Sequence, residues 1–247
     1  VMDSFFDDEH APMVQLARGC PYHCTFCNAA QTWYSRVGTF SMERVQDELT
    51  YIAERVNEHP HLVLAITDSN FGMYQRDVEI AEFIHGLQDK YDWPQAFDFT
   101  TGKTHYDRIM KVNELLRNKF KILVALQSMN EDTLQTIKRK NLTFDQFRDL
   151  MGQIKGAGMQ TATDLIIPLP EETKETFIDA MRLVAEEGVD LIVPNTLCML
   201  KGTGLAAPET REKFDMKNKW RMVARQHGVY ANQICFGFSF LGLSSVK

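Results

Sequence analysis

Leu62-Val63-Leu64-Ala65-Ile66-Thr67 and Ile122-Leu123-Val124-Ala125-Leu126 are short, apolar and without polar alternation, the pattern of parallel strands covered on both faces. Working outward from them, β-rich runs at Val14 to Ala17, Phe97 to Thr101, Thr161 to Ile167 and Leu191 to Asn195 give six candidate strands. Longer segments of helical period separate them. Val45, Leu49, Ile52 and Val56 share one helical stripe. A second stripe runs through Phe144, Phe147, Met151 and Ile154, opened by a Thr143/Gln146 capping box and closed near Gly156 and Gly158. Phe177, Met181 and Val184 form a third, ending at Gly188. Strand–helix repetition of this kind predicts an α/β fold, either a parallel barrel or a doubly wound sheet. Strand count does not separate the two, and both gather ligands at the carboxyl ends of the strands.

The 247 residues carry 27 basic and 33 acidic side chains, a net charge of −6, so a general electrostatic grip on nucleic acid or an anionic membrane is not expected. At 44% hydrophobic residues the chain can bury a substantial core, and its length suits a single α/β domain spanning 1–247. No run reaches the roughly 18 apolar residues of a membrane span, and the opening Val1-Met2-Asp3-Ser4 has no basic or apolar leader, which predicts a cytoplasmic protein. A first residue of Val rather than Met suggests a piece of a longer chain. The apolar stretch Ile234 to Leu241, within a C-terminal extension from about 205 to 247, is expected to cover the open side of the sheet or to meet a further domain.

Polar residues collect where each strand ends. Asp68-Ser69-Asn70 follows the second, Thr101-Gly102-Lys103 the third, Gln127-Ser128 the fourth and Pro168-Leu169-Pro170-Glu171 the fifth. After the first comes Arg18-Gly19-Cys20-Pro21-Tyr22-His23-Cys24-Thr25-Phe26-Cys27, with the spacing C-x3-C-x2-C. Three thiolates in one loop serve three irons of a cubane and leave the fourth open for a substrate. Zinc with His23, Cys198 or Cys235 as fourth ligand is the competing reading, and spacing alone leaves it open.

Cys20-x3-Cys24-x2-Cys27, with Phe26 before the last cysteine, resembles the signature of radical S-adenosylmethionine (SAM) enzymes. The resemblance implies a partial (β/α)6 TIM-like barrel and a [4Fe-4S] cluster on Cys20, Cys24 and Cys27 whose open iron is chelated by SAM. One-electron reduction of the sulfonium would then release a 5′-deoxyadenosyl radical. Motif by motif, the resemblance assigns SAM contacts to Phe26, to Asp68 and Asn70, to Gln127 and Ser128, to Arg139 within Lys138-Arg139-Lys140, and to Ile166 in Asp164-Leu165-Ile166-Ile167-Pro168-Leu169-Pro170-Glu171. Two glycines usual in that last motif are Pro168 and Glu171 here. Lys103 and His105 read equally as ligands or as surface polarity, and Cys198 as a small core residue, with hydrogen donation or substrate binding as its alternative.

Lys201-Gly202-Thr203-Gly204-Leu205-Ala206 resembles a stretch of cobalamin-associated members and of methylthiotransferases. The cobalamin motif itself is not matched, since Asp8-x-His10-x-x-Met13 lacks its glycine, so cobalamin would come with a domain outside this chain. The implied protein is a radical SAM enzyme, with a cobalamin-dependent methyltransferase or a methylthiotransferase as its branches. It would act on a small-molecule or biosynthetic-intermediate substrate and draw electrons from a flavodoxin or ferredoxin-type reductant. A metal-stapled scaffold or electron-transfer module without radical chemistry is the alternative.

Overall fold

In the computed structural model of the chain, residues 3, 6–8, 10–56, 59–224, 228–230, 233–235 and 238–245 are described, with side chains described as far as Asn218. In chain order the elements are β1 (Met13–Val14), β2 (Ala17–Arg18), β3 (Gly38–Thr39), α1 (Met42–Arg55), β4 (Leu64–Phe71), α2 (Gln75–Tyr91), β5 (Phe97–Thr101) and α3 (Tyr106–Leu115). They continue as β6 (Ile122–Leu123), α4 (Glu131–Thr136), α5 (Phe144–Gly156), β7 (Thr161–Ile167), α6 (Lys174–Glu186), β8 (Leu191–Thr196) and α7 (Pro208–Lys213). Four further strands follow, β9 (Lys217–Ala224), β10 (Gly228–Tyr230), β11 (Gln233–Cys235) and β12 (Phe238–Ser245).

Strands β1, β4 and β5 pair in parallel in that order, as do β6, β7 and β8. The seam between the two groups is bridged by a side chain. Thr101 Oγ1 in β5 donates to Leu123 O of β6 (2.9 Å) and accepts from Leu123 N (3.2 Å). Six parallel strands therefore follow one another around the sheet in the order of the sequence. A doubly wound sheet requires a reversal of strand order at a switch point. None occurs among the described strands, so the fold is the partial (β/α)6 barrel.

The helical stripes pack as their periodicity predicts. Leu49 and Ile52 of α1 and Ile80 and Ile84 of α2 join Leu64 and Ile66 of β4 in one core, with Trp93 fully buried and its Nε1 donating to Leu62 O (2.8 Å). Phe147 and Ile154 of α5 and Phe177 and Val184 of α6 meet Ile122 and Val124 in the other. The Thr143/Gln146 capping box forms at the start of α5.

Three strands depart from their expected bounds by more than one residue. The first, expected from Val14 to Ala17, is split into Met13–Val14, which pairs with β4, and Ala17–Arg18, which pairs with β3. Strand β4 runs on through Asp68 and Asn70 to Phe71 instead of stopping at Thr67, because these polar side chains find partners inside the fold. Strand β6 ends early at Leu123. Its pairing with β7 slips by a single residue between Leu123↔Ala162 and Gln127↔Leu165, and Gln127 takes φ +66°. Such a bulge re-aims the side chains that follow it.

β9 and β12 pair antiparallel from Lys217↔Ser245 to Ala224↔Phe238. The expected covering role of Ile234 to Leu241 concerns side chains outside the described residues. Among the described residues no helix is long and apolar enough to cross a membrane.

Asp77 supplies a titration prediction. Its buried carboxylate accepts from Gly72 N (2.9 Å) and Tyr74 N (3.0 Å) at the start of α2. Burial, with the nearby charge of Asp68 adding to it, pushes its pKa from 3.8 up to about 6 despite those hydrogen bonds. Between these values the folded chain binds more protons than the unfolded one, so this group's contribution to stability falls as pH rises from about 4 to 6. The gap corresponds to about 3 kcal/mol. Urea unfolding at pH 4.5 and pH 7 is expected to show that part of the pH dependence disappearing in Asp77→Asn.

Candidate active site

The cysteine loop leaves the barrel through the two-residue β2–β3 ladder, which pairs Ala17 with Thr39 and Arg18 with Gly38. Gly19 sits just inside this neck at φ +119°, and a Cβ there would lie 2.5 Å from Arg36 O. Only glycine fits such an approach. Cys20 N donates to Tyr34 O (2.9 Å) and Cys27 N to Cys24 O (3.0 Å), which tightens the turn between the thiols. Distant parts of the chain then clamp the loop. Thr25 N donates to Ile137 O (3.0 Å) at the end of α4, Thr25 O accepts from Leu205 N (2.9 Å), and Gln31 Nε2 donates to Gly202 O. A Cβ at Gly204 would stand 3.1 Å from Thr25 Cβ. The Gly202-Thr203-Gly204-Leu205 stretch after β8 is thus a brace for the cysteine loop.

Cys20, Cys24 and Cys27 line one cleft at the carboxyl ends of the strands and form no disulfide. Cys20 and Cys24 are buried and Cys27 is half-buried. Thr100 and Lys103 close the cleft from β5 and its loop, Ala125 and Gln127 from the run after β6, and Asp164 from β7. Two side chains donate to the thiol sulfurs: Asn70 Nδ2 to Cys20 Sγ (3.4 Å) and Arg139 Nη1 to Cys24 Sγ (3.9 Å).

Three thiols on one cleft, with polar donors at two of the sulfurs, fit a cubane cluster. Among the described residues no three His, Cys, Asp or Glu side chains approach closely enough to share one ion. A cluster asks for something else, one thiolate on each of several iron corners, with polar donors at the sulfurs. Cys198 Sγ points to Thr196 O (3.5 Å), and the Cys235 side chain lies outside the described residues.

The structure sorts the residues singled out in the sequence. Phe26, Gln127 and Arg139 line the cleft with the three cysteines. Asn70 touches Cys20 from the end of β4. Asp68 is turned to backbone work, its carboxylate accepting from Leu16 N (2.8 Å) beneath the loop; burial raises its pKa against two backbone hydrogen bonds. The Ser128 hydroxyl donates to Glu172, tying the fourth loop to the fifth. Ile166 belongs to an apolar cluster with Ile137, Leu169 and Leu205, against which Phe26 packs. Of the basic run, Arg139 faces the cleft, its Nε held by Asn141 Oδ1 (2.8 Å) and its Nη2 by Ala125 O. Lys103 lines the cleft, whereas His105 is the N-cap position of α3.

Sequence reasoning missed Asp164 and Tyr22 as cleft residues. The signal for Asp164 was a carboxylate inside a strand otherwise apolar or threonine-rich. Burial raises its pKa, while the hydrogen bond from Asn195 and the charge of Arg139 lower it.

Residues 14–184 match the family model of the radical SAM superfamily. The chain belongs to that superfamily and is an enzyme of it. It is 31% identical over 205 residues to the cobalamin-dependent radical SAM methyltransferase TokK of Streptomyces tokunonensis, an alignment covering 81% of this chain and 29% of that protein. It is 30% identical over 174 residues to the 2-(S-pantetheinyl)-carbapenam-3-carboxylate methyltransferase of Streptantibioticus cattleyicolor, covering 69% of this chain and 25% of that protein. The chain thus spans less than a third of either relative. Among solved structures, the radical SAM methyltransferase TsrM from Kitasatospora setae, with tryptophan and a SAM analogue bound, superposes with a TM-score of 0.68. That match has 14% identity and covers 88% of this chain and 42% of TsrM, a likeness of fold. Radical SAM enzymes use a [4Fe-4S] cluster and SAM.

Proposed function

We propose that this chain is the radical SAM core of a cobalamin-dependent methyltransferase acting on a small biosynthetic intermediate in the cytoplasm. The observation that carries the reading is the convergence of three unbridged thiols on one cleft ringed by Gln127, Arg139, Lys103 and Asp164. Cys20, Cys24 and Cys27 would hold the cluster. When bound, it supplies one electron to the sulfonium of SAM, breaking a carbon–sulfur bond to give methionine and a 5′-deoxyadenosyl radical.

The protein's own share is binding, orientation and exclusion of water. Arg139 and Lys103 line the cleft and would offer two positive charges to the SAM carboxylate. Gln127, re-aimed by its bulge, offers both an amide donor and an acceptor to the nucleoside. Phe26 presents a ring edge or face beside them. The electron would come from a flavodoxin or ferredoxin-type protein, and cobalamin from a part of the protein beyond this chain.

The similarity to TokK and to the carbapenam methyltransferase supports the methyltransferase branch. A methylthiotransferase-like reading has its own support, since a tRNA-2-methylthio-N(6)-dimethylallyladenosine synthase of Marinomonas is 25% identical over 96% of this chain. Dependence of methyl transfer on added cobalamin separates the two. The shared chemistry is tested by anaerobic loading with iron and sulfide. A brown protein that releases 5′-deoxyadenosine from SAM on addition of dithionite is the expected result; a colourless protein that leaves SAM intact overturns the reading.

A further inference from the structure

Asn70 is 3% exposed and Cys20 is 4% exposed, so the contact between them is shielded from water. The amide has two ends and both are engaged. Its Nδ2 lies 3.4 Å from Cys20 Sγ, and its Oδ1 lies 3.5 Å from Lys103 Nζ. An ammonium only donates, so it must meet the carbonyl oxygen, and this fixes the N–H end of the amide toward sulfur. Lys103 is itself held in place. Its Nζ stands 5.0 Å from the centre of the Tyr22 ring, and the Tyr22 hydroxyl meets Thr104 Oγ1 (3.2 Å) and Met73 Sδ (3.4 Å). Among the described residues Lys103 makes no ion pair with a carboxylate, so its charge is left to act on the amide and the cleft.

We propose that Asn70, braced by Lys103, is a positioning residue that sets how readily the cluster on Cys20, Cys24 and Cys27 accepts its electron, through an amide N–H···S hydrogen bond to Cys20. The inference rests on the cluster reading above. One electron passes from a low-potential donor, physiologically of the flavodoxin or ferredoxin class, into the cluster. The added negative charge is shared with the thiolates, and an N–H aimed at sulfur in a dry site stabilises that more negative state. Polarisation of the amide by the ammonium strengthens its N–H as a donor. The longer contact from Arg139 to Cys24 acts in the same sense, while half-buried Cys27 has no side-chain donor among the described residues.

The test is a potentiometric titration of the full chain, loaded anaerobically with iron and sulfide and followed by electron paramagnetic resonance without SAM. At the ambient potential that half-reduces the unsubstituted protein, Asn70→Leu is expected to lower the reduced-to-oxidised ratio about tenfold, equivalent to about 59 mV for a one-electron couple. Lys103→Met is expected to lower it about threefold, and by clearly less in the Asn70→Leu background, where the share that passes through the amide is lost and only the direct pull of the ammonium on the cleft remains. Ratios unchanged within about twofold in both variants at full iron and sulfide content overturn the proposal. If Asn70→Leu does not retain iron, Asn70→Ala is titrated in its place, with the same expected direction and the same overturning result. Failure of the underlying reading looks different: the unsubstituted protein would bind no cluster, or its spectrum would not respond to SAM.

Discussion

Replacing Cys20, Cys24 or Cys27 singly by alanine is expected to give a protein that folds but loses its brown absorbance and more than about a hundredfold of its 5′-deoxyadenosine formation. In the proposed site each thiolate would serve a different corner of the cluster, so none could stand in for another. The folded state tolerates the change because each cysteine is a small side chain in a loop held by backbone contacts, from Cys20 N to Tyr34 O and from Thr25 to Ile137 and Leu205. A loss of about 1 kcal/mol is expected at the two buried positions. Iron and sulfide analysis beside a thermal melt separates lost ligation from lost structure. Cys198→Ala is the control. Its sulfur faces Thr196 O, and iron content should be unchanged; if Cys198→Ala empties the site instead, the ligand set is wrong.

Gly19→Ala is expected to be the most damaging single methyl group that can be added near the site. Its φ of +119° lies where L-residues are strained, and the new Cβ would press within 2.5 Å of the Arg36 carbonyl oxygen. That neighbour is backbone and cannot swing aside as a flexible side chain would. The combined cost is about 3 kcal/mol, a fall in Tm of roughly 6–12 °C for a chain of this size. The strain falls on the neck of the cysteine loop, so iron loading should drop further than stability does. A melt within 2 °C of the unsubstituted protein, or full loading, would contradict this account of the neck.

Where sequence and structure agree, the reason is local. Phe97–Thr101 and Thr161–Ile167 form the strands expected because aromatic and β-branched residues are bounded there by turn-forming neighbours. The cysteine spacing was likewise legible, since a loop of eight residues confines its thiols to one place whatever surrounds it. Where the two differ, the cause lies far along the chain. Asp68 reads as a strand-end polar residue until Leu16 N arrives to bond it, and Ser128 does so until Glu172 arrives. Gln127 needed a bulge that nothing in Val124-Ala125-Leu126 announces. The choice of barrel over doubly wound sheet was settled by the order in which strands pair, with the β5–β6 seam bridged by the Thr101 side chain. No periodicity encodes such a contact.

The clasp on Thr25 has a consequence for biogenesis. Its two partners are Ile137 and Leu205, while the three sulfurs belong to Cys20, Cys24 and Cys27, well before either in the chain. A growing polypeptide emerging from the ribosome presents those sulfurs before the scaffold that aims them has been made. Metal insertion is therefore expected to follow completion of the sixth strand and its loop.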